Sequence, residues 1–519
     1  MDRHATGRNV VFVVMDTVRK DRLSAYGYDR PTTPGLETFA EEAVRYEECV
    51  APAPWTLPVH ASMFTGSYPS EHGATQEKPY LEGATTLAES LAEAGYATAC
   101  YSSNAWITPY THLTDGFTFQ DNFFEVMPGD FLSGPLARAW KVMNDNDALR
   151  SLADRLVDLG NRAHEYLAGS EGADSKTPTV IDRTIEFVNG ATQAEKPFFA
   201  FVNLMDAHLP YHPPAEYREE FAPGVDSNAV CQNAKEYNCG AREIDEAEWE
   251  AIGGLYDAEI RHVDAELSRL FDALRANGAW DDTLVIVCAD HGELHGEHDL
   301  YGHEFSIYDP LVNVPLLVKH PDLGTGVDAD TQVELLDLYH TVLDHTGSEA
   351  ASGGVGVDRS RSLLSDTYRE FAEGETAFVE YYRPVVELNQ LEGKARTAGI
   401  SLDRDSRFYS RMRAARRPDR KYIRNERIAD EAYQLDADPG ETENVLNGNR
   451  DRGNGNDGSD GSSGSDGDGP ANEIENVERA LREFEARVGG AWGEVTDEDV
   501  LSDMGDDAKR RLEDLGYIE

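Results

Sequence analysis

Short, continuous runs of apolar residues alternate with polar stretches and helical periodicity through most of this 519-residue chain. The clearest runs are Asn9–Met15, 97–101, 197–204, 284–289 and 314–318. Strands that are buried on both faces of a parallel sheet have this pattern, and helices are needed to connect them. We therefore predict an α/β fold with a large, mainly parallel sheet flanked by helices, over residues 1–368.

The pattern changes in the C-terminal part of the chain. Segments such as 376–381 are strand-like, and an Arg-rich stretch runs from Arg407 to Arg424. Short strand-like segments that are not separated by long helices indicate a sheet of a different kind. We predict a smaller, sheet-bearing subdomain over residues 369–446.

A linker and a helical tail follow. Residues 447–471 are almost entirely Gly, Asn, Asp and Ser, and such a composition cannot bury enough apolar surface to offset its ordering entropy. We predict a disordered linker there. Segments 472–488 and 497–515 have helical apolar spacing, so residues 472–519 are predicted to form a helical tail.

The charge of the chain is extreme: 97 acidic residues face 47 basic ones, which gives a formal net charge of −50. Molar salt shortens the Debye length to about 3 Å and removes most of the resulting self-repulsion. The composition is typical of proteins from a salt-rich cytoplasm. It argues against nucleic acid or an anionic membrane as a partner.

Neither a membrane span nor an export signal is evident. No apolar run approaches the roughly 18 residues of a transmembrane helix. The first strand-like run is shorter than the apolar region of a signal peptide, about 7 to 15 residues. We expect a cytoplasmic protein, and the five scattered cysteines are expected to be free thiols.

Chemically reactive side chains follow two of the predicted strands. Asp16 comes directly after the first strand, and Asp290 and His291 come after 284–289. Ligands of open α/β sheets bind beyond the carboxyl ends of the strands, so these residues are expected to converge. Thr56 lies where a turn enters a helix. Two carboxylates, an imidazole and a hydroxyl make an oxygen-rich metal site with a built-in nucleophile.

Thr56 and the nearby histidines admit simpler explanations as well. Thr commonly caps helices, and a lone His208 near a Pro-rich loop is often structural. At the N-terminus of a helix, however, the Thr56 hydroxyl would face free N–H groups that attract anions. His208 follows the strand 197–204, which favours substrate binding or proton transfer. His295, His298 and His303 cluster behind Asp290 and indicate a metal or anion site.

Several motifs together resemble those of one family, the sulfatases of the alkaline phosphatase superfamily. They are Val14-Met-Asp16-Thr-Val-Arg19-Lys-Asp21, Thr56-Leu-Pro58-Val-His60 with Thr65-Gly66, Asp290-His-Gly-Glu293, Gly302-His303 with Tyr308-Asp309, Lys421-Tyr-Ile-Arg424 and Tyr433-Gln-Leu-Asp-Ala-Asp438. We identify the chain as a member of haloarchaeal type, with Thr at the nucleophile position. The resemblance assigns the catalytic role to residues 1–368.

The resemblance implies a set of roles for individual residues. A divalent metal would be held by Asp16, Asp290 and His291, and Thr56 would be the nucleophile that also contacts the metal. His208 and His303 match positions that bind the transferred group or protonate the leaving oxygen. His60, in the nucleophile motif, completes the catalytic candidates. The oxygen ligands allow Ca, Mg or Mn, and the imidazole admits Mn or Zn.

Three departures from the family pattern bear on the mechanism. Typical sulfatases convert a Cys or Ser within CxPxR or SxPxR to formylglycine, but Thr56 cannot become that aldehyde. Thr17 stands where the second Asp of the usual metal pair is expected. The usual Lys-and-His element is replaced near Asn104, so fewer cationic groups remain to hold sulfate.

These observations predict a metal-dependent hydrolase that cleaves a sulfate or phosphate ester, of a small molecule or a glycan, through Thr56. One alternative is a phosphodiesterase, or a phosphoryl or sulfuryl transferase acting on glycan or lipid head groups. Another is an inactive homologue that only binds a metal or an anion. The loops 120–178 and 213–246 carry no readable motif, so the sequence does not name the substrate.

Overall fold

The apolar runs of the sequence form the centre of one large sheet. The structure is a computed structural model that describes residues 9–122, 175–373, 375–447, 470–490 and 492. Within these residues the sheet has eight strands in the order β10-β2-β9-β6-β1-β5-β3-β4. They are β1 (Asn9–Met15), β2 (Val44–Val50), β3 (Ala97–Ser102), β4 (Phe119–Asn122), β5 (Phe198–Leu204), β6 (Thr283–Cys288), β9 (Leu316–Lys319) and β10 (Gly326–Glu334).

The predicted mainly parallel sheet is confirmed. Strand β1 lies between β5 and β6 and is parallel to both, with Val10 opposite Phe199 on one side and Leu284 on the other. Only β9 runs against its neighbours, β2 and β6. A strand in this central position is covered on both faces, and Val10–Met15 are accordingly buried. The short strands β7 (Leu294–His295) and β8 (Tyr301–Gly302) pair separately.

Helices cover the sheet on both sides, as a parallel sheet requires. In the described part of the chain they are α1 (Pro34–Ala40), α2 (Thr56–Thr65), α3 (Pro69–His72), α4 (Leu87–Glu93), α5 (Thr177–Gln193), α6 (Ala215–Phe221), α7 (Ala234–Asn238), α8 (Glu246–Ala276), α9 (Asp309–Val312), α10 (Asp337–Thr346), α11 (Tyr368–Ala372), α12 (Val385–Ala398) and α13 (Pro470–Arg487). Every residue of α2 is buried, so this helix lies inside the molecule. None of the described helices is both long and apolar enough to cross a membrane.

A second, antiparallel sheet follows in the C-terminal part, as the sequence predicts. Its order is β11 (Ala377–Tyr381), β12 (Met412–Arg417), β13 (Arg420–Asn425) and β14 (Glu431–Gln434). Arg416, from the Arg-rich stretch, is buried and donates hydrogen bonds to Asp309 and Glu48 of the main body. Apolar residues of both sheets belong to one hydrophobic core. The predicted boundary between the two parts, after residue 368, falls within helix α11. The division of the chain into two domains there stays a prediction.

The first predicted tail helix is present and packs on the small sheet. Helix α13 contacts β12 and β13, and its residues Ile474, Val477, Leu481 and Phe484 are buried there. The second predicted tail helix, 497–515, and most of the predicted linker lie outside the described residues.

Candidate active site

The carboxyl ends of the central strands bring the predicted acidic residues together. Asp16 follows β1, and Asp290 lies two residues after β6. Single ligand atoms of Asp16, Asp290 and His291 all lie within 4.8 Å of one another, and the three side chains are buried. Residues that are 274 positions apart in sequence thus form one cluster, because β1 and β6 are neighbours in the sheet.

The backbone around this cluster is shaped to orient its ligands. Thr17 has a φ of 58°, in the left-handed region, and its N–H donates to Oδ1 of Asp290 at 3.2 Å. Gly292 must lack a side chain, because a Cβ atom there would lie 2.0 Å from the carbonyl oxygen of Pro310. The close approach of the Pro310 carbonyl explains in physical terms why Asp290 and His291 are followed by Gly.

The donor atoms fit a divalent cation. Oδ1 of Asp16 and Oδ2 of Asp290 are buried without a hydrogen-bond partner among the described residues. Burial and their mutual repulsion raise the pKa of Asp16, and burial raises the pKa of Asp290 to about 7. Nδ1 of His291 donates to the carbonyl oxygen of Gly292 at 3.0 Å, which leaves Nε2 as an acceptor. Burial lowers the pKa of His291 to about 3, so this imidazole is neutral and able to bind a metal.

Thr56 lies beside the cluster at the first position of α2. Its Oγ1 is 3.3 Å from Nε2 of His291 and 3.4 Å from Nδ2 of Asn104. The residue that caps α2 is Trp55, and no side chain of the described residues caps the helix. The hydroxyl of Thr56 is therefore directed at the carboxylate and imidazole cluster and not at the helix backbone.

His60 lies behind Thr56, one helical turn later. Its Nδ1 is 2.8 Å from the carbonyl oxygen of Thr56, and its ring packs edge-on against Phe64 and Phe201. His60 is fully buried, and burial lowers its pKa to about 3. It supports the first turn of α2 and does not line the cavity described below.

The structure brings His208 and His303 together near Thr56. Their ring centroids are 5.2 Å apart, and the ring of His303 lies 4.6 Å from that of His291. Nδ1 of His303 contacts Oε1 of Glu293 at 3.1 Å, and burial lowers the pKa of His303.

The other two histidines of the cluster in sequence have different surroundings. Nε2 of His295 is 3.0 Å from the hydroxyl of Tyr211, and His298 stacks on Tyr308 at a centroid distance of 3.6 Å. Neither lines the cavity at Thr56.

A cavity of about 390 Å³ opens at Thr56. Its lining combines aromatic, imidazole and charged side chains: Trp55, Thr56, Asn104, Ala105, Trp106, Met205, His208, Leu209, Pro210, Lys235, His303, Glu304, Glu387 and Gln390. A cavity of this size accommodates a small ester or one sugar unit of a larger substrate.

Asn203, Lys235 and Glu387 were missed from the sequence, and Asn104 was noted there only as a departure from the family pattern. Asn104 and Asn203 both donate to Oδ2 of Asp16, at 2.8 and 3.1 Å. Lys235 comes from the stretch 213–246, which has no readable motif, and Glu387 comes from α12 in the C-terminal part. Asn203 lies inside β5, and its being the one polar residue of that apolar strand was the only sequence evidence for it.

Comparisons with known proteins agree with this architecture. The profile of the family described as "Sulfatase" matches residues 8–348. An arylsulfatase of Clostridium perfringens is 24% identical over 407 residues, which cover 72% of this chain and 82% of that protein. A choline-sulfatase of Rhizobium meliloti is 22% identical over 440 residues, covering 78% and 80% of the two chains.

Solved structures share the fold across nearly the whole chain. A phosphonate monoester hydrolase of Agrobacterium radiobacter superposes with a TM-score of 0.62 at 21% sequence identity, covering 95% of this chain and 99% of that one. A second, from Silicibacter pomeroyi, gives a TM-score of 0.63 at 17% identity, covering 95% and 98%.

The fold and the matches define an ester-hydrolysing enzyme of the alkaline phosphatase superfamily. The chain belongs to the sulfatase family, and it is an arylsulfatase-like hydrolase.

Proposed function

We propose that this enzyme is a metal-dependent hydrolase that cleaves a sulfate or phosphate ester with Thr56 as its nucleophile. The observation that carries the proposal is the position of the Thr56 hydroxyl. It lies 3.3 Å from Nε2 of His291, beside two buried carboxylate oxygens that have no hydrogen-bond partner in the described part of the chain. Asp16, Asp290 and His291, with Thr56, would hold a Ca, Mg, Mn or Zn ion.

A divalent cation at this cluster would lower the pKa of the Thr56 hydroxyl and draw negative charge from the transferred group. Asn104 positions the same hydroxyl and the Asp16 carboxylate at once, because its Nδ2 contacts both. His60 fixes the carbonyl group of Thr56 and so holds the first turn of α2 in place.

The reaction proceeds in two displacements. The Thr56 hydroxyl releases its proton to solvent, its oxygen attacks sulfur or phosphorus, and the bond to the alcohol oxygen of the substrate breaks. His208 or His303 donates the proton that the leaving alcohol requires. Water then attacks the covalent ester on Thr56 and returns a proton to the same imidazole. Sulfate or phosphate leaves, and Thr56 takes up a proton from solvent to restore its hydroxyl group.

The charges of the cavity favour a substrate group with a single negative charge. Among the described residues that line it, Lys235 is the one Lys or Arg, and it is paired with Glu304. A sulfate monoester, a phosphodiester or a phosphonate monoester carries one charge, whereas a phosphate monoester carries close to two at neutral pH. The single, paired cation of the cavity therefore supports a phosphodiesterase activity as well as a sulfatase activity.

A transferase would share the first displacement and differ only in its acceptor. An alcohol acceptor would then replace water, and turnover would rise with its concentration. A homologue that only binds a metal would form neither the product of hydrolysis nor the product of transfer.

The charge of the chain supports a proposed location for the enzyme. A net charge of −50 supports a salt-rich cytoplasm as the place where this protein works. All assays are therefore set in molar KCl.

The decisive experiment compares aryl sulfate, aryl phosphodiester and aryl phosphate monoester hydrolysis across Ca, Mg, Mn and Zn. Thr56→Ala is expected to lose turnover by at least about a thousandfold, whereas Thr56→Ser retains a hydroxyl and is expected to keep measurable activity. Turnover that survives Thr56→Ala would exclude Thr56 as the nucleophile. His208→Gln and His303→Gln, assayed on esters with good and poor leaving groups, identify which imidazole donates the proton.

A further inference from the structure

One part of the cavity lining carries more negative than positive charge. Lys235 on α7, Glu304 after β8 and Glu387 on α12 line it together. The Lys235 ammonium donates to Oε1 of Glu304. The other oxygen of Glu304 and Oε2 of Glu387 are buried without a hydrogen-bond partner among the described residues. The two residues are only 4% and 8% exposed.

Two basic residues close to Glu387 in sequence form ion pairs with other carboxylates. Lys394, on the same helix as Glu387, pairs with Glu236 at 2.8 Å. Arg383, just before that helix, contacts Glu77 at 3.3 Å. Among the cavity-lining residues that the structure describes, one ammonium thus faces two carboxylates, and buried charges need partners. The proposed reaction uses neither Glu304 nor Glu387.

Aromatic rings line the same cavity. The rings of Trp55 and Trp106 lie at a centroid distance of 4.7 Å. Indole faces attract cations that approach within about 6 Å. An unsatisfied carboxylate pair and an indole pair in one cavity are complementary to a positively charged group that also donates hydrogen bonds.

We propose that this subsite, formed by Glu304, Glu387, Trp55 and Trp106, binds a primary ammonium group on the alcohol part of the substrate. A primary ammonium supplies N–H donors to the two free carboxylate oxygens, which a quaternary ammonium lacks. The inference rests on the proposed function, and it names the substrate class: sulfate or phosphate esters of amino-alcohols or amino-phenols.

The test uses three aryl sulfates on the full chain with its metal in molar KCl: 4-(2-aminoethyl)phenyl, 4-(2-trimethylammonioethyl)phenyl and 4-ethylphenyl sulfate. The matching phosphodiesters replace them if only phosphodiesters are turned over. The primary amine is expected to have a kcat/KM at least about tenfold above that of the ethyl compound. The kcat/KM of the trimethylammonium compound is expected to lie between those of the amine and ethyl compounds. Equal kcat/KM for the amine and ethyl compounds would overturn the proposal, as would preference for the quaternary compound.

Two variants separate the subsite from general effects on the helix. Glu387→Gln is expected to bring the amine-to-ethyl ratio close to one. Glu392→Gln makes the same change on the same helix at a side chain that bonds Tyr409 and does not line the cavity. Glu392→Gln is expected to leave the ratio of kcat/KM for the amine and ethyl compounds unchanged. A ratio that Glu387→Gln leaves unchanged would refute the assignment.

Binding without turnover keeps this inference separate from the proposed function. Calorimetric titration of the full chain with 4-(2-aminoethyl)phenol and with 4-ethylphenol needs no catalysis. Tighter binding of the amine, lost in Glu387→Gln, would support the subsite even if no ester were hydrolysed. Equal binding of the two phenols by a catalytically active enzyme would reject the subsite and leave the proposed function standing.

Discussion

Asn104 and Asp16 are joined by a hydrogen bond of 2.8 Å from Nδ2 of the amide to Oδ2 of the carboxylate. Asn203 donates to the same oxygen at 3.1 Å. Two donors on Oδ2 hold the carboxylate in one orientation, in which Oδ1 has no hydrogen-bond partner among the described residues. The amide carries no charge, so it orients a metal ligand without competing with the metal.

Replacing Asn104 with Ala should therefore weaken metal binding. Removal of an outer partner of a metal ligand commonly lowers affinity by about 10- to 100-fold, and we expect a loss in this range. Metal titration followed by calorimetry measures it. Asn189→Ala, at a side chain that contacts Asn277 away from the site, is the control and should bind as the unaltered protein does. Unchanged affinity in Asn104→Ala would show that the amide does not position Asp16.

Metal binding should also stabilise the fold, because it neutralises two carboxylates buried side by side. At a metal concentration 100 times the Kd, the free energy of unfolding should rise by about 2.7 kcal/mol. Thermal unfolding with added metal and then with a chelator measures the gain and its reversal. Asp290→Asn should remove most of the gain while raising the stability of the metal-free protein, since it abolishes the repulsion with Asp16. An equal metal-dependent gain in Asp290→Asn would argue that the ion binds elsewhere.

Glu387 should make the stability of the substrate-free protein depend on pH. Burial raises its pKa from 4.5 to about 7, against the opposing effect of Lys235. The folded state then holds the proton more tightly than the unfolded state. The stabilisation from this group is thus complete below about pH 4.5 and is lost as the pH rises to about 7.

Glu387→Gln should remove that dependence. Relative to the unaltered protein, the variant should gain stability progressively between about pH 4.5 and 7, by up to about 3 kcal/mol. Chemical unfolding at a series of pH values measures the difference between the two proteins, in which the other acidic residues cancel. Glu392→Gln is the matched control. A constant difference across this range would mean that Glu387 has an ordinary pKa.

Much of the fold could be predicted because continuous apolar runs are specific for central strands. The run Asn9–Met15 predicts β1 to the residue, and the runs that become β3, β5, β6 and β9 differ only at their ends. Edge strands are harder to predict. The exposed residues of β10 all lie in its first half, which also contains the buried Asp328, so its apolar pattern is mixed.

Some residues of the candidate site could be predicted from the sequence in the same way, and others could not. Asp16, Thr56, Asp290 and His291 follow strands or begin a helix, and their convergence could be expected from that position alone. Lys235 and Glu387 reach the cavity from a short helix and from the C-terminal part, through packing that no local pattern records. Lys235 also lies far in sequence from the element near Asn104 to which the family resemblance pointed.

The tail helix should be an integral part of the folded body. Phe484 on α13 is 3% exposed and stacks on Phe378 of β11, with a centroid distance of 4.3 Å and an interplanar angle of 12°. It also packs edge-on against Tyr68 of the main body.

Phe484→Ala should lower the free energy of unfolding by about 3 to 5 kcal/mol, the range for a large aromatic side chain removed from a core. Glu483→Ala, at the exposed neighbouring position, should change it by less than about 0.5 kcal/mol. If both variants unfolded at the same denaturant concentration in molar KCl, α13 would be a loosely attached appendage; a lower midpoint for Phe484→Ala alone would make it a part of the cooperative fold.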